Sequence, residues 1–345
     1  MALTVPEAKG QLESFLAAAA AAERATIKDL KLLSGGTLQE NWRLDAVLQG
    51  GPEKGARTFV LRASRAAADP LSLDRTQEFA VMKAAFEAGV ATPEPLWLSD
   101  GNDVLGRAFL IMRHVPGSAA AHQIVRDEAM GGDHNILAER LGEELARIQT
   151  IGPVRGRLEF LRKPETGAAE TIIAELRAYL DSHTDPHPTI EWGLAWAQAN
   201  LPRGSDLVLC HGDFRTGNFM VDQSGLTGIV DWELASWGDP MEDMAWFCLK
   251  FWRFGRWDRE AGGLSAREHF YRGYERVSER RVDPVLAHYW EVLANLRWAV
   301  VSMRQAERHL SGRDPSLQLA LTGRMTAEME LEALRLIEAG PPRAK

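Results

Sequence analysis

Between Leu207 and Phe247 the sequence LVLCHGDFRTGNFMVDQSGLTGIVDWELASWGDPMEDMAWF leaves the chain few ways to fold. Leu207-Val208-Leu209-Cys210 is a continuous apolar run and reads as a short buried strand. It delivers His211, Gly212 and Asp213 onto a loop that ends at Asn218. Phe219-Met220-Val221 reads as a second strand, Asp222-Gln223-Ser224-Gly225 as a turn, and Gly228-Ile229-Val230 as a third strand. Such a hairpin sets Asp231 down beside the loop the chain has just left. Two carboxylates and a carboxamide then converge where a turn leaves room for a ligand.

Taken singly, Asp213, Asn218 and Asp231 are ordinary turn and cap residues. As an ordered set they carry the groups that phosphoryl transfer needs. One carboxylate takes the proton of the acceptor hydroxyl, while an amide oxygen and a second carboxylate hold magnesium against the nucleotide phosphates. Asp213 and Asn218, with four residues between them, have the spacing of a kinase catalytic loop.

HGDFRTGN, followed by IVDWE and GDPMEDMAW, resembles the catalytic core of the aminoglycoside phosphotransferase and choline kinase-like family. The resemblance spans nearly the whole chain and is sharpest between Cys210 and Trp246. It implies an α+β, bilobal, protein-kinase-like fold. A small β-rich N-lobe over residues 1–115 would bind the nucleotide. A larger, mainly helical C-lobe over residues 116–345 would carry the catalytic loop, metal site and acceptor pocket. It further implies Asp213 as catalytic base, Asn218 and Asp231 as magnesium ligands, and His211 as a brace of the loop. The cofactors it implies are ATP and Mg2+. The DWE and GDP spellings, with LRWAVVSMRQAERHL further on, resemble the branch whose members occur fused to, or near, acyl-CoA dehydrogenases.

Earlier in the chain, LKLLSGGTLQENWRLDAVL reads as two strands about a turn at Ser34, Gly35 and Gly36, where backbone amides can approach a phosphate closely. A Gly-Gly turn by itself is only a turn, and the GxGxxG of protein kinases is absent. The strand Thr58–Arg62 ends on Arg62, where kinase-like folds keep a lysine for the α/β-phosphates. A helix from Leu73 to Ala88, with Phe79, Met82 and Phe86 on its buried stripe, places Glu78 within reach of Arg62. The strand Ala108–Met112 and its exit through Arg113-His114-Val115-Pro116-Gly117 would be the hinge of a kinase. There backbone groups near His114 meet the adenine edge and Met112 backs the ring.

After Asp231, Gly238-Asp239-Pro240 opens a helix, with Pro240 at its first position and Asp239 as its N-cap. Asp243 falls inside that apolar helix and is expected to hydrogen-bond the catalytic loop backbone or His211. Glu233 is either a neighbour of the metal ligands or a solvent-facing residue. Arg253, Arg256, Arg259, Arg267, Arg272, Arg276, Arg280 and Arg281 point to an anionic acceptor, such as a hydroxyacyl compound. Salt bridges with Glu260, Glu268, Glu275 and Glu279 are the competing use for them.

The 345 residues suffice for two cores, and 45% hydrophobic with 26% charged residues is ordinary for a globular protein. A net charge of −8 argues against nucleic-acid or membrane partners. Two cysteines and no long apolar run point to the cytoplasm. The sequence therefore reads as an ATP- and magnesium-dependent phosphotransferase acting on a hydroxyl of a small molecule. A metal-dependent phosphohydrolase using His211, Asp213 and Asp231, and a nucleotide-binding pseudokinase that regulates a partner, are the alternatives.

Overall fold

The structure, a computed structural model, describes residues 4–33, 39–64, 72–101, 104–204 and 207–342. In chain order the elements begin α1 (Lys9–Ala19), β1 (Arg24–Leu32), β2 (Gln39–Gln49), β3 (Gly55–Ser64), α2 (Arg75–Glu87), β4 (Pro95–Ser99) and β5 (Phe109–Arg113). Helices α3 (Ala121–Arg126), α4 (His134–Ile148), α5 (Ala168–Asp181) and α6 (Pro188–Ala199) come next. Then come β6 (Val208–Cys210), β7 (Phe219–Asp222), β8 (Gly225–Ile229), β9 (Ser236–Gly238) and α7 (Met241–Cys248). The chain ends with α8 (Arg267–Val277), α9 (Pro284–Leu310), α10 (Leu317–Gly323) and α11 (Thr326–Ala339). It divides into two compact units, one of Met1–Ala120, Val154–Phe160 and Gly217–Ala235, the other of Ala121–Pro153, Leu161–Thr216 and Ser236–Lys345.

The first unit is built on an antiparallel sheet of order β1-β2-β3-β5-β4. Side chains alternate along β3, so Phe59, Leu61 and Ala63 enter a core with Leu12 and Leu16 of α1, Leu44 of β2 and Phe109 of β5. Val60 and Arg62 take the opposite face by the same alternation. Helix α2 starts where Asp74 closes a capping box with Gln77, each side chain meeting the other's backbone amide. That start puts Glu78 in the first turn. The buried residues of α2 are Arg75, Glu78, Val81, Met82, Ala84 and Ala85, so Met82 lies on the buried stripe as expected while Phe86 is 42% exposed.

The hairpin β7–β8 pairs Phe219 with Ile229 and Asp222 with Gly225, and Asp222 Oδ1 accepts from Ser224 N at 2.8 Å to close the turn. Ser118 and Val221 exchange two backbone hydrogen bonds, at 2.8 and 3.0 Å. This approach is possible because Gly117 has φ +107° and a Cβ there would overlap the Val221 carbonyl.

The second unit holds the antiparallel pair β6–β9 and the remaining helices. Leu137, Leu141, Leu145 and Ile148 form the buried face of α4 as their spacing predicts. Helices α4 and α8 meet through Gly142 and Gly273, where a Cβ on either would overlap backbone of the other helix. That closeness lets Phe270 of α8 pack on Phe247 and Phe214, with ring centroids 4.7 and 6.3 Å away. Among the described residues no helix is long and apolar enough to cross a membrane.

Gly273→Ala should destabilise the protein by about 1–3 kcal/mol, the usual cost of overpacking a close contact. Urea unfolding measures it, with Gly152→Ala as a control, where a Cβ meets nothing and the backbone is not left-handed.

Candidate active site

In the first unit, Arg62 lies at the centre of a buried charge cluster. Its Nε is 3.0 Å from Glu78 Oε1, and its Nη2 meets both Asp231 Oδ1 and Glu233 Oε2, the latter at 3.3 Å. Arg75, which sequence reading did not single out, donates to Glu78 Oε2 and lies 3.6 Å from Glu233 Oε2. Among the described residues, two guanidiniums thus face three carboxylates. Asp231 carries the most exposed of these side chains, at 33%. Burial works against the charge of Arg62, but Glu78, Asp231 and Glu233 outweigh it and raise its pKa.

The backbone places these groups by specific local devices. Asp231 adopts the left-handed conformation, φ 72° and ψ 57°, which aspartate tolerates better than most residues. The strain is held by Trp232, fully buried, whose Nε1 donates to Thr92 Oγ1 at 3.1 Å. Thr92 in turn donates to the Ile229 carbonyl, and Leu73 N donates to the Glu233 carbonyl at 2.7 Å. The backbone carbonyl of the buried Asn218 accepts from Val230 N at 2.9 Å, so both ends of the hairpin are tied together next to Asp231.

Met112 and His114 stand at the end of β5, where Met112 pairs with Val60 and His114 N donates to Thr58 O at 3.3 Å. Leu110, and not Met112, is opposite Arg62. Ser34, Gly35 and Gly36 lie outside the described residues.

In the second unit, β6 delivers the His211–Asp213 loop and α7 braces it. Asp243 accepts from His211 N at 2.6 Å and from Gly212 N at 3.0 Å. Gly212 has φ 81°, which lets two successive amides point at one carboxylate. The ring of His211 is buried and its Nδ1 is 3.4 Å from Asp213 N. The Asp213 carboxylate is held on both oxygens: Trp246 Nε1 donates to Oδ1 at 2.9 Å, and Arg215 Nε reaches Oδ1 and Oδ2 at 3.0 and 2.9 Å. Arg215 itself stacks on Trp252, 4.6 Å from the ring centroid.

Asp239 caps the start of α7, accepting from Met241 N at 2.8 Å while its own amide donates to Glu242 Oε1 at 2.8 Å. The helix begins at Met241, so Pro240 takes the cap position instead of the first helical one. Burial pushes the Glu242 carboxyl up to about 7, with Arg297 opposing it. Burial also raises Asp243, against the pull of His211 and the two amides.

The arginine-rich stretch proves to be ion-paired. Arg267 meets Glu260 at 2.8 Å and Glu291 at 3.0 Å. Arg272 and Arg276 share Glu139, and Arg281 meets Glu275 at 2.8 Å. Arg253 donates to the Cys248 and Trp257 carbonyls. For Arg267, Arg272, Arg276 and Arg281 these contacts match the competing use, ion pairs, with Glu260 and Glu275 among the expected partners.

Residues 29–280, well over half of the chain, match the phosphotransferase enzyme family. The chain belongs to that family. The fold is protein-kinase-like. It is similar, at 20% identity and a TM-score of 0.74, to a Ralstonia eutropha JMP134 protein provisionally named an aminoglycoside phosphotransferase. That likeness covers 98% of this chain and 99% of the other. A thermostable mutant of aminoglycoside phosphotransferase APH(4)-Ia, in ternary complex with ADP and hygromycin B, is similar at a TM-score of 0.59 and 19% identity. There 96% of this chain and all of that one are covered. Acyl-CoA dehydrogenase family member 11 of Rattus norvegicus is 26% identical over 317 residues, 85% of this chain. This family member spans only 39% of that relative's length, and 24% of the mouse family member 10.

The partners that sequence reading missed in this phosphotransferase-family chain are Arg75, Arg215, the Trp246 indole and Glu242. Arg75 and Trp246 were open to inference, since each stands three residues from a residue already singled out, Glu78 and Asp243, on the same helix.

Because the folded pKa of Glu242 is raised from 4.5 to about 7, the native state holds a proton there that the unfolded chain releases. Its contribution to stability is full below about pH 4.5 and is lost as pH rises to about 7. Glu242→Gln should therefore gain on the wild type as pH rises, with the advantage on the order of 2–3 kcal/mol larger at pH 8 than at pH 5. Urea midpoints at the two pH values test this.

Proposed function

We propose that the chain transfers the γ-phosphoryl group of ATP to a hydroxyl of a small molecule, with Mg2+ as cofactor. The observation that carries this reading, beside family membership, is that Arg62 joins Glu78 to Asp231. A strand cation paired with a helix carboxylate is the arrangement kinase-like folds use to grip phosphates. The ADP complexes of structural neighbours with hygromycin B and with spectinomycin support a nucleotide and a hydroxyl-bearing acceptor.

The residues present fit magnesium. Asn218 and Asp231 offer an amide and a carboxylate oxygen, hard donors of the kind Mg2+ prefers, and the Asp231 side chain is 33% exposed. Among the described residues no three His, Cys, Asp or Glu side chains are gathered for a metal. This accords with an ion bound by few protein groups that keeps water and phosphate ligands. Asn218 and Asp231 would hold it, and its chemistry there would be to neutralise phosphate charge.

In this reading Arg62 grips the α/β-phosphates with a planar fork suited to them. Asp213 accepts the proton of the acceptor hydroxyl. Trp246 and Arg215 fix the rotamer of its carboxylate, and Asp243 fixes the loop backbone beneath it. The nucleotide grip comes from residues 1–115 together with Asn218 and Asp231, and the acceptor pocket from the helical remainder. The buried free thiols of Cys210 and Cys248 suit a reducing cytoplasm.

Asp213→Asn should lower turnover by about 10²–10⁴-fold, the usual effect of removing a general base, while ADP affinity stays within about twofold. The assay is acceptor-dependent ADP release across hydroxyacyl compounds, aminoglycosides and choline-like alcohols. Turnover equal to wild type in the variant would remove Asp213 from the role of base.

A further inference from the structure

Arg297 of α9 lies over the Trp246 indole, its guanidinium carbon 5.1 Å from the ring centroid. The same indole donates its Nε1 hydrogen to the Asp213 carboxylate at 2.9 Å. One ring therefore separates the proposed base from a guanidinium. The charge of Arg297 favours the ionised forms of Glu242 and Asp243, but the oxygens of both are engaged with backbone amides. Glu242 accepts from Asp239 N at 2.8 Å, and Asp243 from His211 N and Gly212 N. Among the described residues Arg297 makes no hydrogen bond or ion pair. A ring face stabilises a cation without offering an oxygen to its N–H groups, and Arg297 is partly exposed, so those donors are left for a solute.

The arginines of α8 are placed differently. Arg267 spends its donors on Glu260 and Glu291, and Arg272 and Arg276 theirs on Glu139. Arg215 resembles Arg297 in lying over an indole, that of Trp252, but its Nε is taken by Asp213. Trp246 and Trp252 thus each carry a guanidinium of the chain itself. An ammonium-bearing acceptor brought to Asp213 would meet like charge there, and an anionic one would meet unspent donors.

We propose that Arg297 is a specificity-determining residue of the acceptor pocket, whose planar fork takes a carboxylate or phosphate group of the acceptor. The inference rests on the phosphotransfer reading above and names its acceptor class: a small hydroxyl compound bearing an anionic oxygen group, with about one ring's breadth between that group and the hydroxyl. Guanidinium suits both anions because its paired N–H groups match two oxygens at once. The reaction is unaltered. The acceptor oxygen bonds to the γ-phosphorus, the bond from that phosphorus to the bridging oxygen breaks as ADP leaves with the electron pair, and the hydroxyl proton passes to Asp213.

Acceptor-dependent ADP release by the full chain with ATP and Mg2+ tests this on short alcohols in matched forms. These are hydroxy carboxylates, their neutral amides, phosphate monoesters of the corresponding diols, and the corresponding amino alcohols. In the wild type, kcat/KM for an anionic form should exceed that of the amide and amine forms about tenfold or more, the usual worth of a charge-assisted hydrogen bond. Which anionic form leads tells carboxylate from phosphate. Arg297→Gln should raise KM for the anionic forms about tenfold, hold kcat within about threefold, and leave amide turnover within about twofold. Arg304→Gln is the control. Arg304 lies on α9 two turns further on, over the Tyr179 ring at 4.8 Å, and its loss should move no acceptor more than about twofold.

Equal kcat/KM for anionic and neutral forms in the wild type overturns the proposal, as does an unchanged KM for the anionic forms in Arg297→Gln. A fall in kcat shared by every form overturns it too, since that marks an arginine that only steadies Trp246. If Arg297→Gln fails to melt cooperatively, Arg297→Lys decides. It keeps the charge and loses the fork, so KM for the anionic forms should rise several-fold with the amide unchanged, and no such rise overturns the idea. A wild type that binds ATP but transfers to no anionic form refutes the acceptor class alone. One that binds no nucleotide sinks the phosphotransfer reading, and this proposal with it.

Discussion

A guanidinium cannot stay buried without carboxylates around it, and in the first unit this requirement dictates much of the local structure. Arg62 sits on the face of β3 away from the α1 core, so its partners must come from elsewhere in the chain. Glu78 comes from the first turn of α2, whose start is set by the Asp74–Gln77 capping box. Asp231 and Glu233 come from the segment after β8, which is fixed by the burial of Trp232 and by the Thr92 hydroxyl. The left-handed backbone at Asp231 is a strain of about 1–3 kcal/mol, which such a network can hold.

The loop in the second unit is organised by a different kind of interaction. Asp243 receives two backbone amides from His211 and Gly212, so the peptide planes before Asp213 are set by a side chain on α7. Aromatic packing then fixes the chain just after Asp213. Phe214 lies against Phe247 and Phe270, which reach it because α4 and α8 cross through glycines. The Asp213 carboxylate accepts from a neutral indole and a guanidinium. The loop backbone is thus held by Asp243 and the carboxylate at its tip by side chains from α7 and from the loop itself.

How much of the structure was legible in the sequence depends on how locally each feature is encoded. The loop, the hairpin and the Asp243 contact are spelled within Leu207–Phe247, where residue types and short-range spacing decide the structure. The reach from Arg62 to Glu78 was legible because only a short connection separates the strand of one from the helix of the other. In the arginine-rich stretch the local pairs were legible, Arg267 with Glu260 and Arg281 with Glu275, and the remote ones were not: Glu139 serves Arg272 and Arg276 from α4, and Glu291 serves Arg267 from α9. Phe86 misled because hydrophobicity alone does not reveal which residues of α2 the fold buries.

The arginine at position 62, where kinase-like folds use lysine, answers to the same charge geometry. A lysine ammonium is a compact point charge, whereas a guanidinium presents donors along two edges. Arg62 uses that span to bridge Glu78 on one side with Asp231 and Glu233 on the other. The wider reach brings three carboxylates to one cation, and Arg75 adds a second buried cation beside two of them, Glu78 and Glu233.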